Sequence, residues 1–164
     1  NNAEEKEINL KISLKIKKLL EGNGITVVMT RTDDNRLADT QKEDLKERVR
    51  IMNEEQPALA VSIHQNSYQG AGVRGPQVFY YAGSKEGKTA AGILQEKLNQ
   101  INPAYSRDEK ENNSYYILKN TEVPVVIVEC GFLSNADEAA ELVSDEYQDA
   151  MAAAVTEGIK QYIE

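Results

Sequence analysis

Residues 58–64 read ALAVSIH, an almost continuous apolar run that ends in a single histidine, His64. A run without alternation of apolar and polar residues is typical of a strand that is covered on both faces. A second run of this kind, VPVVIV at residues 123–128, ends at Glu129. Strands buried on both faces occur mainly in proteins whose helices pack on both sides of a sheet. The two runs therefore predict two buried strands of an α/β domain.

Helical spacing of apolar residues surrounds these strands. Ile8, Ile12 and Ile16 recur every four residues and predict an amphipathic helix that ends near Gly22. Further elements are predicted as strands over 25–30 and 78–81, helices over 41–55 and 86–101, a charged loop over 102–113, and two helices at the carboxyl end. Strands that alternate with helices predict a parallel arrangement. We expect a single-domain α/β sandwich with a mostly parallel sheet flanked by helices.

Composition restricts the function. At 164 residues and 40% hydrophobic, the chain has the size of one domain. Its net charge of -8 argues against a nucleic-acid partner, since affinity for phosphates depends on clustered Lys and Arg. The sequence contains no apolar run of about 18 residues, so no membrane span is predicted. The amino terminus does not resemble a secretion leader. If the protein is exported, we expect its leader to have been removed.

His64 and Glu129 follow the two buried strands at the edge where α/β proteins bind ligands. His64 could be a metal ligand, a proton carrier or a hydrogen-bonded structural residue. Glu129 could be a general base whose pKa is raised by burial, or it could pair with a lysine or cap the helix after Ser134. Cys130 could act as a nucleophile, although a small buried residue is the expectation favoured here.

Three glutamates, Glu4, Glu5 and Glu7, lie in the first turn of the first predicted helix, where the helix dipole favours carboxylates whatever their function. Together with His64 they offer nitrogen and oxygen ligands of the kind that zinc accepts. Spacing alone does not select one of the three.

Four motifs, spread over most of the chain, carry a resemblance to a known family. They are EKEINL at 5–10, MTRTDD at 29–34, SIHQN at 62–66 and VECGFLSN at 128–135. In order and content they resemble the Amidase_3 family of N-acetylmuramoyl-L-alanine amidases. Residues 73–81 and 113–119 are most similar to the spore-cortex, germination-specific members. A general wall-lytic amidase is the alternative within the family.

The resemblance implies a zinc-dependent hydrolase that cleaves the amide between N-acetylmuramic acid and L-alanine in peptidoglycan. It assigns Glu5 and His64 as zinc ligands and Glu129 as the catalytic glutamate, which would take a proton from zinc-activated water. The family's first histidine ligand follows an initial strand, and both would precede Asn1. Residues 1–164 are therefore expected to be the amidase catalytic domain without that strand and that histidine loop.

The resemblance also implies an exported protein that acts on the cell wall or the spore cortex, with an activating protein partner as a further expectation. A non-catalytic or partner-dependent peptidoglycan-binding module of the same fold is one alternative. A glycosidase that uses Glu129 with a second carboxylate is another, because paired carboxylates suffice for glycosidic cleavage.

Overall fold

The computed structural model describes residues 2–31 and 37–164. Six helices and four strands lie in these ranges, in the order α1 (Asn2–Gly22), α2 (Gln41–Glu55), β1 (Ala60–Asn66), β2 (Gln77–Tyr80), α3 (Lys85–Asn99), β3 (Lys110–Glu111), α4 (Tyr116–Asn120), β4 (Val125–Phe132), α5 (Ala136–Leu142) and α6 (Asp145–Ile163). A short 3-10 turn, Pro103–Tyr105, precedes β3. None of the helices described has the length and apolar character of a membrane span.

The four strands form one mixed sheet in the order β1-β4-β2-β3. β1 is parallel to β4, β2 is parallel to β3, and β2 is antiparallel to β4. The α/β fold with a mostly parallel sheet is therefore confirmed, because two of these three pairings are parallel. All eight residues of β4 are buried, as the unbroken apolar run predicted for a strand covered on both faces. The same prediction was wrong for β1, most of which is only partly buried, because β1 lies at the edge of the sheet that the described strands form.

Helices cover the two faces of the sheet unequally. On one face, α1, α3 and α6 enclose the larger core, in which Ile12, Leu94 and Met151 are fully buried. On the other face, α2 and α4 enclose a smaller cluster around Val49, Ile117 and Ile127. Because successive strand residues point to opposite faces, β4 contributes Val126, Val128 and Cys130 to the first core and Val125 and Ile127 to the second.

The strand predicted over residues 25–30 is not formed. Ile25 and Val27 are partly buried against the larger core and Thr26 and Val28 are exposed, so burial alternates as in a strand. A strand also needs backbone hydrogen bonds to a neighbour. Within the part of the chain that the structure describes, no strand pairs with this segment. The prediction was wrong because apolar alternation reports the side-chain environment and not the hydrogen-bonding partner.

The segment predicted as a charged loop over 102–113 contains the 3-10 turn and the two-residue strand β3. Its Arg107 packs over the ring of Phe132 at the end of β4 and donates to the carbonyl of Arg74. The side chain of Arg74 in turn lies over the ring of Tyr105, 4.1 Å from its centre. The loop therefore packs against the carboxyl end of β4, the strand that carries Glu129.

Glu138, at the start of α5, connects the segment before β2 to the end of β4. Its buried carboxylate accepts hydrogen bonds from the backbone amides of Gly75 and Phe132. A Cβ atom on Gly131 would come within 2.8 Å of this carboxyl group. Glycine at 131 therefore permits the close contact between β4 and the Glu138 side chain.

Candidate active site

His64 and Glu129 are register partners on the parallel strands β1 and β4. Gln77 of β2 pairs with Glu129 from the other side. Residues in register on adjacent strands present their side chains to the same face of the sheet. The three polar side chains therefore form a row across three strands, on the face that α2 and α4 cover.

Glu5 reaches this row from the first turn of α1. Its Oε1 lies 3.7 Å from Nδ1 of His64 and 3.4 Å from the backbone nitrogen of Gln65. Contact with the His64 ring is the main cause that lowers the pKa of Glu5, and burial opposes it. Of the three glutamates in this part of α1, Glu4 is exposed and Glu7 pairs with Lys11. The structure thus selects Glu5 as the carboxylate beside His64.

The His64 ring is oriented by Ser62, whose Oγ lies 2.8 Å from Nε2. Residues two apart in a strand point to the same face, which brings this hydroxyl beside the ring. Nε2 and Nδ1 therefore have different neighbours, Ser62 and Glu5. If a metal ion takes the place of the proton on Nδ1, Nε2 carries the remaining proton and donates it to Ser62.

Glu129 is only 7% exposed, and its Oε2 has no hydrogen-bond partner. Burial is the main cause that raises the pKa of Glu129; the negative charge of Glu5 adds to the effect, and His64 opposes it. No ion pair in the described residues involves Glu129. The cap of the following helix is supplied by Asn135, which accepts from the Glu138 amide. Glu129 therefore has neither of the structural roles that the sequence left open.

A pocket of about 190 Å³ opens beside Glu129, between α2 and α4. His64, Glu129 and Tyr115 lie on its polar side, and Leu45, Ile117 and Ile127 on its apolar side. Burial and the negative charge of Glu129 raise the pKa of Tyr115, so its hydroxyl keeps its proton at neutral pH. A larger pocket of about 340 Å³, lined by Tyr81, Glu86 and Pro124 among others, contains none of the candidate residues.

Several supporting residues were not found from the sequence. Gln65, 5% exposed, donates from its side chain to Asn9 and so links β1 to α1 beside Glu5. Arg31 donates to the carbonyl of Lys6, the neighbour of Glu5. Ser62 could have been found, because a residue two positions before a strand-end histidine lies on the same face. Thr32, Asp33 and Asp34 of the MTRTDD motif lie outside the described residues.

Cys130 is fully buried, and burial raises the pKa of its thiol to about 12. A nucleophilic cysteine needs a lowered pKa and access to the substrate. The structure therefore agrees with the small buried residue that the sequence favoured over a catalytic thiol.

The sequence model of the Amidase_3 family, described as N-acetylmuramoyl-L-alanine amidase, matches residues 1–161. The chain belongs to this family. It is an enzyme that hydrolyses peptidoglycan at the N-acetylmuramoyl-L-alanine amide. The resemblance seen in the four sequence motifs is thereby confirmed, and the glycosidase alternative is set aside.

Similar proteins support the assignment within the family. The amidase is 32% identical to the germination-specific N-acetylmuramoyl-L-alanine amidase of Bacillus subtilis, over 96% of this chain and 70% of that protein. It is 30% identical to the amidase LytC of Bacillus subtilis, over 99% of this chain but 32% of LytC. The resemblance to germination-specific members is therefore supported by whole-chain similarity.

Solved structures give the same result. The CwlD amidase of Clostridioides difficile, in complex with the GerS lipoprotein, superimposes with a TM-score of 0.93 at 34% identity. This alignment covers 97% of the amidase and 86% of CwlD. The catalytic domain of CwlV from Bacillus (Paenibacillus) polymyxa var. colistinus superimposes with a TM-score of 0.84 at 29% identity, over 97% and 84% of the two chains.

Proposed function

We propose that the amidase holds zinc with Glu5 and His64 and uses Glu129 as the general base that activates water. The observation that carries the proposal is the buried carboxylate of Glu129. Its Oε2 makes no hydrogen bond. Glu129 is also the register partner of His64, whose Nδ1 lies 3.7 Å from Oε1 of Glu5. An unpaired buried carboxylate costs free energy of folding, so a proton-transfer role gives a reason for its presence.

The two proposed ligands fit zinc in type and spacing. Zinc accepts histidine nitrogen and carboxylate oxygen at about 2.0–2.2 Å, and two ligands of one tetrahedral ion are about 3.3 Å apart. The separation of 3.7 Å between Nδ1 of His64 and Oε1 of Glu5 is close to that value. When bound, zinc would supply Lewis-acid polarisation of the scissile carbonyl and of a water molecule.

Catalytic zinc sites typically use three protein ligands. Within residues 2–31 and 37–164, no group of three or more His, Cys, Asp or Glu side chains could hold a metal ion. The family resemblance assigns the third ligand to a further histidine, and His64 is the only histidine of this sequence. The proposal therefore includes a third donor besides Glu5 and His64.

The groups of the site have two kinds of role, proton transfer and orientation of the proposed zinc ligands. Glu129 accepts a proton from the attacking water and returns it to the leaving nitrogen, so that the amine of L-alanine departs uncharged. Ser62 and the backbone amide of Gln65 hold His64 and Glu5 in their orientations. Outer contacts of this kind fix the direction of a ligand's lone pair.

For the biological setting, we propose action outside the cytoplasm on spore-cortex peptidoglycan. Support comes from the germination-specific relative, at 32% identity, and from the CwlD structure, at 34% identity. The similarity to LytC supports the alternative of a general wall amidase. CwlD forms a complex with the GerS lipoprotein, which supports a protein partner for this amidase as well.

A partner-dependent amidase is the second candidate, whereas the non-catalytic module expected as an alternative is excluded by the family assignment. The observation in favour of partner dependence is that the described residues supply two ligands to the proposed zinc site and not three. In that case the isolated protein would release amines only when its partner is bound.

The test combines metal content with product analysis. Purified protein is incubated with zinc and peptidoglycan, and new amino termini on L-alanine are counted alongside reducing sugar ends. We expect amino termini only, loss of their release with a chelator, and recovery with zinc. His64→Ala and Glu5→Gln are expected to lower bound zinc, whereas Glu4→Gln, in the same turn of α1 but exposed, is not. Full zinc occupancy in both site variants would contradict the ligand assignment.

A further inference from the structure

Arg107, in the loop before β3, has no acidic partner. Ion pairs with carboxylates hold Arg48, Arg50 and Arg74. No ion pair among the described residues includes Arg107. Of its five guanidinium N–H donors, one is used, by Nη2 toward the carbonyl of Arg74, and Nε is buried without a hydrogen-bond partner. A partly buried positive charge with so few partners costs free energy of folding, so its presence calls for a ligand.

The acidic side chains near Arg107 are engaged elsewhere. Glu138 and Glu141 both lie against Arg74, with Oε1 of Glu141 at 2.6 Å from its Nη2. The carboxylate of Glu109 lies beside α3, next to Gly92. The chain as a whole carries a net charge of -8, so carboxylates are plentiful. The described residues nevertheless supply none of them to the guanidinium of Arg107.

Contacts that leave its charge unbalanced hold Arg107 in place. Its guanidinium carbon lies 5.2 Å from the centre of the Phe132 ring, a cation–π contact. Its backbone N–H donates to Oδ1 of Asn99, and its carbonyl accepts from Nδ2 of the same side chain. Because these contacts fix the backbone and the guanidinium beforehand, little conformational entropy is lost when an anion binds.

Arg107 lies at the end of the sheet that carries the proposed active site. Phe132, whose ring faces the guanidinium, is the register partner of Asn66. The pair of Phe132 and Asn66 follows the pair of Glu129 and His64 toward the carboxyl ends of the two strands. Three residues of a strand span roughly 10 Å. The guanidinium is therefore within reach of a substrate whose scissile bond lies at Glu129.

We propose that Arg107 binds the backbone carboxylate of the second residue of the stem peptide, and so makes the enzyme selective for an anionic group at that position. The inference rests on the proposed place of Glu129 at the scissile bond. An extended peptide spans roughly 3.3–3.6 Å per residue, so this carboxylate lies roughly 7 Å from the scissile nitrogen. The planar guanidinium matches a carboxylate in bidentate geometry.

The test compares two forms of N-acetylmuramoyl-L-alanyl-glycine, one with a free terminal carboxylate and one with the terminal amide. The two substrates have the same shape and differ by one charge. A hydrogen bond to a charged group changes kcat/KM by about 10–100-fold, so the parent enzyme should prefer the carboxylate by that factor. Arg107→Gln should bring the carboxylate-to-amide ratio of kcat/KM close to one. Arg107→Lys keeps the charge but loses the bidentate geometry, and it should retain part of the preference.

Lys110→Gln is the matched control. Lys110 lies three residues after Arg107 and is exposed on β3, so the control removes the same charge from the same segment and leaves the guanidinium in place. It should leave the carboxylate-to-amide ratio unchanged. The ratio within one variant does not depend on the fraction of folded enzyme, so a loss of stability in Arg107→Gln cannot imitate the result.

A binding measurement gives a readout without turnover. In a Glu129→Gln background, calorimetry should show tighter binding of the carboxylate form than of the amide form, and adding Arg107→Gln should remove that difference. Equal use of both forms by the parent, an unchanged ratio in Arg107→Gln, or equal falls in Arg107→Gln and Lys110→Gln would overturn the carboxylate site. Undiminished hydrolysis by Glu129→Gln would instead contradict the role proposed for Glu129, and it would leave the comparison of the two forms intact.

Discussion

His64 and Glu129 are partners in the register of two adjacent parallel strands, although 64 residues lie between them in the sequence. This pairing sets the proposed metal ligand and the proposed base side by side on one face of the sheet. A sheet holds such a pair through its backbone hydrogen bonds, independently of the two side chains. Either side chain can therefore be replaced without loss of the strand pairing.

Glu129→Gln should abolish most activity without loss of stability. Removal of a positioned general base lowers the rate by about 10²–10⁴-fold. The buried Oε2 has no partner, so its replacement by an amide removes a buried charge and leaves the melting temperature unchanged or higher. Amide hydrolysis and thermal unfolding are measured together, with Glu111→Gln as an exposed strand control. A large fall in melting temperature would show that Glu129 is structural.

Ser62→Ala should weaken zinc binding while leaving the ligands in place. The hydroxyl lies 2.8 Å from Nε2 of His64 and fixes the ring orientation. Loss of such an outer contact typically reduces metal affinity by about 10–100-fold. Zinc titration by calorimetry measures the effect, and Ser13→Ala on α1 serves as the control. Equal affinities in the two variants would mean that packing alone orients His64.

Two helical glycines should respond to alanine in opposite directions. A Cβ on Gly158 of α6 would lie 2.5 Å from Cδ2 of Leu94, so Gly158→Ala should cost about 1–3 kcal/mol through overpacking. A Cβ on Gly92 of α3 meets atoms only at 3.6 Å or more, so Gly92→Ala should gain about 0.5–1 kcal/mol from helix propensity. Urea unfolding of both variants checks the prediction, and a stabilising Gly158→Ala would contradict the close α3 and α6 packing.

Glu138 should make stability depend on pH in a defined direction. Burial is the main cause that raises the pKa of Glu138 above its usual value of 4.5, while hydrogen bonds from the Phe132 and Gly75 amides oppose it. The folded state therefore binds the proton more tightly than the unfolded state. The stability contributed by Glu138 is fully present below pH 4.5 and declines as the pH rises toward the folded pKa.

The measurement for Glu138 is the free energy of unfolding at pH 4.5 and pH 7 for the parent and for Glu138→Gln. On going from pH 4.5 to pH 7, the free energy of unfolding should fall more, or rise less, in the parent than in Glu138→Gln, because glutamine does not titrate. The change in unfolding free energy between the two pH values is compared in the parent and the variant. This comparison cancels the contributions of the other carboxylates and any loss of stability that the substitution causes at both pH values. A parent that gains more stability than Glu138→Gln on going to pH 7 would reverse the assigned direction.

The elements that were predicted well are those whose sequence reports burial directly. The unbroken runs before His64 and Glu129 predicted β1 and β4, and the periodic apolar residues of α2 predicted its bounds, Gln41–Glu55. The short elements β3 and α4 were missed, because two and five residues are too few to show a period. The strand expected over 25–30 failed because pairing depends on a neighbour that local sequence does not specify.

The sequence by itself determined that the domain is α/β and that His64 and Glu129 lie toward the carboxyl ends of two strands, because strand position follows from the local apolar pattern. Tertiary structure alone decided which of three glutamates in α1 meets His64, since the rotation of a helix is set by the packing of its whole apolar face. It also decided that α2 and α4 enclose a small pocket beside Glu129. That space lies between residues distant in sequence, and it forms only when their elements pack together.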